Sequence, residues 1–158
     1  EAMGRDSFVR TSGGRGLHVV VPLKPACPWT QVKPFAHAFA ESMAASEPLA
    51  YVATASKKFR KGRIFIDYLR NGRGATSVAS FSLRARPGAP VAMPLRWNEL
   101  GRVKAGDAYD VVSARRRMER MKAHPWGAWT RVKQDLDGAM RAIETKTSKA
   151  KGTKRKPG

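Results

Sequence analysis

Residues 7–21 read SFVRTSGGRGLHVVV, and in this stretch two short β-prone runs flank three closely spaced glycines. The runs Ser7–Arg10 and Leu17–Val21 contain the β-branched and aromatic residues that favour strands. The glycines between them allow the chain to reverse direction, because they adopt backbone conformations that other residues avoid. The sequence therefore predicts a glycine-rich β-hairpin.

The hydrophobic period changes beyond this hairpin. Apolar residues from Val32 to Met43 recur at helical spacing and predict an amphipathic helix, with Thr30 as its cap and Pro48 marking its end. A second helix is predicted from Ser113 to Lys122, and a last one from Trp126 to Thr145.

A further β-prone run, Ile64–Leu69, is closed by the reversal signal Asn71-Gly72 and predicts a strand. We expect residues 75–81 to return as its paired strand. Because strands come first and helices last, the order of elements predicts an α+β fold, a mixed sheet flanked by helices.

Positive charge dominates the composition. The chain of 158 residues has 31 Lys and Arg against 12 Asp and Glu. Residues 145–158 hold six of these cations between small polar residues, which predicts a disordered basic tail following a folded part over residues 1–144. The folded part keeps a formal charge of +13, more than solubility alone requires, so we expect a polyanionic partner, with nucleic acid first.

Other features exclude several classes of protein. One cysteine, Cys27, rules out an internal disulfide framework and predicts a reducing, cytoplasmic compartment. No apolar run reaches the roughly 18 residues that a membrane helix needs, so no membrane partner is expected. Three widely separated histidines give no support for a hydrolytic triad or a histidine-rich metal site.

The glycine-rich stretch has two interpretations. Ser12 can donate a hydroxyl hydrogen bond, and Arg15 and His18 can meet phosphate oxygens, which favours a phosphate cradle. The spacing matches neither the P-loop nor the dinucleotide fingerprint, and by spacing alone an ordinary hairpin is favoured.

Asp67 is the one carboxylate in the run Ile64–Leu69, and a carboxylate among apolar groups requires a cation or hydrogen-bond donors. A divalent metal and a solvent-facing or arginine-paired aspartate fit this position equally well. Asp135 and Asp137 have metal-binding spacing, but the surrounding pattern is helical and would turn them apart, so we expect no metal there.

Three ordered blocks, residues 8–18, 62–76 and 84–97, resemble the polymerase domain of bacterial DNA ligase D. The likeness covers about residues 4 to 130 and leaves the basic tail outside. This domain is a member of the archaeo-eukaryotic primase superfamily, so the resemblance implies a primase-like, largely antiparallel sheet. It also implies a metal-dependent nucleotidyltransferase that fills or extends DNA ends in non-homologous end-joining.

The resemblance implies a role for five residues. Ser12 and His18 lie in the block that binds the incoming nucleoside triphosphate, and Arg70 and Arg84 match arginines that contact its phosphates. Asp67 matches a catalytic metal ligand, with Mn²⁺ or Mg²⁺ as the expected ion. DNA ends, Ku and a ligase domain are the implied partners, at the bacterial nucleoid.

Family members carry an Asp-x-Asp metal motif ahead of the glycine loop, which this chain lacks. The resemblance is therefore to the carboxy-terminal half of the domain, an incomplete domain whose exposed sheet edges could drive self-association. A non-catalytic DNA- or nucleotide-binding protein, and a basic structural protein acting through its tail, remain the alternatives to an enzyme.

Overall fold

A computed structural model describes residues 6–141 and residue 143. Among these residues the chain has five short strands, two α-helices, three 3₁₀ helices and a further helical stretch at residues 137–141 and 143. The strands are β1 Phe8–Thr11, β2 Leu17–Val20, β3 Tyr51–Val52, β4 Ile64–Phe65 and β5 Pro94–Leu95. The α-helices are α1 Trp29–Ser46 and α2 Val111–Glu119, and the 3₁₀ helices are Lys57–Phe59, Trp97–Arg102 and Trp129–Arg131.

The described residues form two compact units, each built from more than one segment. The sheet unit comprises residues 6–22 and 77–134. The helix unit comprises residues 23–76 together with the described residues from 135 onward.

The sheet unit is built on an antiparallel sheet in the order β2-β1-β5. Strands β1 and β2 pair from Phe8 opposite Val20 to Thr11 opposite Leu17, so the predicted glycine-rich hairpin is confirmed. Because β1 is central, both of its edges are paired, and the loop that follows Thr11 leaves a fixed strand end.

Thr11 fixes this strand end. The side chain is completely buried, and its hydroxyl donates to the Val91 carbonyl (3.1 Å) while accepting from the Met93 amide (2.8 Å). A buried hydroxyl is tolerated because both of its hydrogen-bonding capacities are used. Around it, buried apolar side chains form the core of the sheet unit: Val9, Val91, Met93, Leu95 and Ala114.

In the helix unit, α1 confirms the predicted amphipathic helix but begins earlier. Pro28 is the N-cap, with extended backbone, and its carbonyl accepts from Gln31 and Val32. The prediction of Thr30 as the cap was wrong, because Thr30 already lies inside the helix. Pro34 consequently falls in the second turn, where its missing amide leaves one helical hydrogen bond unmade.

The predicted strand Ile64–Leu69 is much shorter than expected. Only β4, Ile64–Phe65, is a strand, and it pairs in parallel with β3. Residues 75–81 contain no strand, so the predicted antiparallel partner was wrong. The Ile64 amide donates to the Ala50 carbonyl (2.8 Å), which shows that β4 uses the chain after α1 as its partner.

The two carboxy-terminal helix predictions also need correction. Helix α2 is capped by Asp110, whose carboxylate accepts from the Ser113 amide (2.7 Å), so Ser113 is the third helical residue and not the cap. The continuous helix from Trp126 to Thr145 was wrong over its described part. Trp126 instead packs on Phe8, with ring centroids 5.6 Å apart, and only residues 137–141 and 143 are helical beyond the last 3₁₀ helix.

The α+β class is confirmed by the presence of an antiparallel main sheet together with α-helices. The predicted basic tail, residues 145–158, lies outside the described residues. No helix in the described part of the chain combines the length and the apolar character that crossing a bilayer demands.

Candidate functional site

The loop between β1 and β2 holds the Ser12 hydroxyl in a defined position. The Ser12 amide donates to the Gly16 carbonyl (3.1 Å), which closes the loop, and the Gly14 amide donates to the Ser12 hydroxyl oxygen (3.1 Å). Because that oxygen already accepts from Gly14, its proton remains to be donated to another acceptor. A phosphate oxygen is such an acceptor.

Two arginines from the segment after residue 83 approach this loop. Arg84 donates from Nη1 to the Ser12 carbonyl (3.3 Å), and a Cβ atom on Gly13 would lie 2.6 Å from Arg84 Cγ. A Cβ atom on Gly14 would lie 2.8 Å from Arg86 Nη1. Gly13 also has φ of +61°, which favours glycine. The glycines therefore make room for guanidinium groups as well as for the turn.

His18 lies on β2 directly opposite Arg10 on β1. Arg10 Nε donates to His18 Nδ1 (3.3 Å), and Arg10 Nη1 donates to the Ser80 hydroxyl (3.3 Å). Arg10 is only 8% exposed, and this burial lowers the pKa of its guanidinium from the ordinary value. Sequence reasoning missed Arg10, although its register opposite a predicted site histidine was a usable signal.

The arginines of this region are cations without acidic partners. Among residues 6–141, no carboxylate forms an ion pair or hydrogen bond with Arg10, Arg84 or Arg86. Elsewhere in the sheet unit, Arg117 does pair with a carboxylate, Glu99, at 2.8 Å. The glycine loop thus lies in an uncompensated positive region, which favours an anionic ligand.

The segment that contains Gly106 packs closely against the glycine loop. Gly106 is buried, and a Cβ atom there would lie 2.6 Å from the Gly14 carbonyl oxygen and would overlap the Gly16 carbonyl. Sequence reasoning missed this residue, because nothing in the run around Gly106 indicates contact with a loop 90 positions earlier. We name this set of Ser12, Gly13, Gly14, Arg84 and Gly106 the glycine-loop site.

Asp67 and Arg70 belong to the helix unit. Asp67 is exposed and lies beyond the end of β4, and its Oδ1 accepts from the Leu69 amide (3.0 Å) in a local turn. Its placement within an apolar strand was therefore wrong. Arg70 is exposed and donates to the Thr76 carbonyl (3.1 Å). A pocket that Asp67 and Arg70 share with Ser12, His18 and Arg84 stays a prediction.

The described residues offer few ligands for a divalent metal ion. The described residues contain no group of three or more His, Cys, Asp or Glu side chains that could hold an ion. Asp67 offers one carboxylate, with one oxygen engaged by Leu69, whereas a divalent cation takes six or more ligands. The described residues do not form a complete metal centre by themselves.

Asp135 and Asp137 lie in different local structures. Asp135 pairs with Lys24 at 3.4 Å. The prediction that both lie in a helix was wrong, because Asp135 precedes the helical residues 137–141. The expectation that they do not clasp one ion stays a prediction.

The chain matches a known protein family over most of its length. The family model described as LigD, primase-polymerase domain, matches residues 1–126. The chain belongs to this LigD family. The predicted resemblance to the ligase D polymerase domain is thereby confirmed, and the family match extends over both units.

Curated relatives of the LigD family agree with this assignment. The multifunctional non-homologous end joining protein LigD of Pseudomonas aeruginosa is 37% identical over 142 residues, covering 89% of this chain. The protein of the same name from Mycolicibacterium smegmatis is 33% identical over 95 residues, covering 60% of this chain. This chain spans only 17% and 12% of those two proteins.

A solved structure shows the same fold. The polymerase domain from Mycobacterium tuberculosis ligase D, in complex with DNA, matches with a TM-score of 0.66 and 29% identity. The match covers 75% of this chain and 41% of that one. The primase-like fold predicted for this LigD family member is therefore confirmed.

The contact between Gly106 and the loop can be tested by Gly106→Ala. The added methyl group would push against the Gly14 and Gly16 carbonyls, and overpacking of this kind costs about 1–3 kcal/mol. We expect a lower urea midpoint for the variant. Gly101→Ala is the matched control, because a Cβ atom at Gly101 meets nothing within 4 Å. Equal midpoints for the two variants would contradict the proposed support of the loop.

Proposed function

We propose that this chain supplies the nucleotide-phosphate-binding part of a LigD-type polymerase domain, which fills or extends DNA ends during non-homologous end-joining repair. In this proposal Ser12, His18, Arg70 and Arg84 bind the phosphates of an incoming nucleoside triphosphate. The observation that carries the proposal is the approach of Arg84 to the glycine loop, with its Nη1 3.3 Å from the Ser12 carbonyl oxygen.

The chemistry of phosphoryl transfer explains why these residue types are required. Negative charge develops on the phosphate oxygens during the transfer, and fixed cations and hydrogen-bond donors stabilise it. The Ser12 hydroxyl supplies a donor whose oxygen is already held by Gly14, and Arg84 supplies a half-buried cation beside this loop. Because contacts within the chain already hold both groups at the loop, the glycine-loop site is suited to a polyphosphate.

The metal ion of the proposed reaction requires more ligands than the described residues offer. We propose Asp67 as the carboxylate that this chain contributes to a Mn²⁺ or Mg²⁺ site. The chain covers 41% of the matching polymerase-domain chain, so the remaining ligands are proposed to come from a further segment or partner chain. When bound, the metal would neutralise charge on the triphosphate.

DNA is the proposed macromolecular partner. The excess of 31 basic over 12 acidic residues supports binding to a phosphate backbone, and the related polymerase domain of known structure is in complex with DNA. Ku, a ligase domain and a cytoplasmic, nucleoid-associated location complete the proposal. Self-association is supported by the edge strand β2, on which Leu17 and Val19 are exposed.

Nucleotide binding at the glycine-loop site can be tested with Arg84→Gln. Calorimetric titration with a nucleoside triphosphate should give an affinity about 10–100-fold weaker than that of the unaltered chain, because a hydrogen bond to a charged group contributes about 1.5–3 kcal/mol.

The matched control for this experiment is Arg115→Gln. Arg115 is exposed on α2 and pairs with Glu119 at 2.8 Å, so its replacement removes the same charge from a surface position. Equal losses in the two variants would show that net charge, and not the loop geometry, binds the nucleotide.

One observation favours a second candidate function, a nucleotide- or DNA-binding protein without catalysis. Asp67 is the only carboxylate predicted for the metal, and no metal-ligand cluster exists among the described residues. A templated primer-extension assay with Mn²⁺ separates the two functions. The enzyme predicts incorporation that disappears in Asp67→Ala, whereas the binding protein predicts salt-sensitive DNA binding without incorporation.

A further inference from the structure

Arg10 carries a charge that the proposed phosphate contacts do not use. It lies in the central strand β1, is 8% exposed, and forms no ion pair with a carboxylate among residues 6–141. A buried guanidinium is costly unless its donors are satisfied. The acceptors of its N–H groups therefore indicate the role of Arg10.

Two nitrogens of the Arg10 guanidinium approach the same ring nitrogen of His18. Arg10 Nε lies 3.3 Å from His18 Nδ1, and Arg10 Nη2 lies 3.2 Å from the same nitrogen. Arginine has only donors and does not lose its proton in proteins. Nδ1 must therefore be the acceptor, which requires its lone pair and excludes a proton on that nitrogen.

Ser77 provides a second hydrogen-bonded connection from Arg10 to His18. Its hydroxyl oxygen accepts from Arg10 Nη2 (3.1 Å), so its single proton is directed to the next acceptor. That acceptor is His18 Nδ1, at 3.3 Å. Nδ1 has one lone pair, which the two Arg10 donors and the Ser77 hydroxyl share, so Arg10 determines the direction of all three contacts.

We infer that Arg10 is a positioning residue that keeps Nδ1 of His18 unprotonated, so that Nε2 carries the proton and serves as the donor to a nucleotide phosphate. The side chain acts through His18 and does not itself need to touch the nucleotide. A donor nitrogen fixed by a hydrogen bond on the other ring nitrogen is a general way to set the tautomer of a histidine. This inference rests on the proposed function, in which His18 binds phosphate.

The protonation of His18 can be measured directly by long-range ¹H–¹⁵N correlation spectroscopy at neutral pH. The chain has three histidines, and the His18 signals are assigned by their loss in His18→Asn. In the unaltered chain we expect no proton on Nδ1. A solvated histidine, with a pKa near 6.5, shows a clear Nδ1-protonated fraction under the same conditions. A similar fraction for His18 would overturn the inference.

Arg10→Met removes the donors while retaining an unbranched side chain. We expect the Nδ1-protonated fraction of His18 to rise and the affinity for a nucleoside triphosphate to fall roughly ten-fold. Arg10→Lys, which keeps a donor and the charge, should restore part of both. Arg115→Lys is the control for an exposed arginine and should change neither.

A folded Arg10→Met protein with unchanged His18 signals would contradict the positioning role. If this variant fails to fold, the spectrum of the unaltered chain still decides the protonation of Nδ1. Failure of the proposed function is a different result, in which the unaltered chain binds no nucleoside triphosphate whatever the protonation state of His18.

Discussion

The glycine loop depends on the hydrogen bonds that hold the end of β1. Thr11 is fully buried between Val91 and Met93, and its hydroxyl satisfies a carbonyl on one and an amide on the other. The loop that leaves this fixed end can therefore adopt one conformation while presenting the Ser12 hydroxyl. Arg84 approaches it because glycine occupies position 13, where any side chain would meet the arginine at 2.6 Å. The fixed end of β1, the shape of the glycine loop and the positive charge of Arg84 beside it therefore depend on one another.

The arginines near the glycine loop are unusual in their hydrogen-bond acceptors. Buried and half-buried arginines are normally compensated by carboxylates, as Arg117 is by Glu99 at 2.8 Å. Arg10 and Arg84 instead donate to a histidine, serine hydroxyls and a backbone carbonyl. A neutral hydrogen-bonding environment satisfies the N–H groups but leaves the positive charge in place. This uncompensated charge favours an anionic ligand, which the proposed function supplies.

Sequence patterns predicted the parts that local chemistry determines. The hairpin was evident from its glycines, and α1 from its helical period, because both depend on residues close in sequence. The wrong secondary-structure predictions concern contacts between residues that are distant in sequence. Trp126 packs on Phe8 instead of continuing a helix. Strand β4 pairs with β3, and the Ile64 amide donates to the Ala50 carbonyl. Gly106 could not be found either, since only the folded chain brings it beneath the loop. The role of Asp67 as a metal ligand stays a prediction, and its local turn with Leu69 was not foreseen.

The most direct test of the account is amide chemical-shift mapping during titration with a nucleoside triphosphate. The backbone amides of Gly13, Gly14 and Gly16 should show the largest changes, together with the side-chain Nε–H of Arg84, because these glycines form the loop that holds Ser12 and that Arg84 contacts. The exposed face of α2 should remain unchanged. Saturable binding that leaves the glycine amides unperturbed and shifts another part of the chain would contradict the central claim, that the glycine loop and Arg84 together bind a polyphosphate.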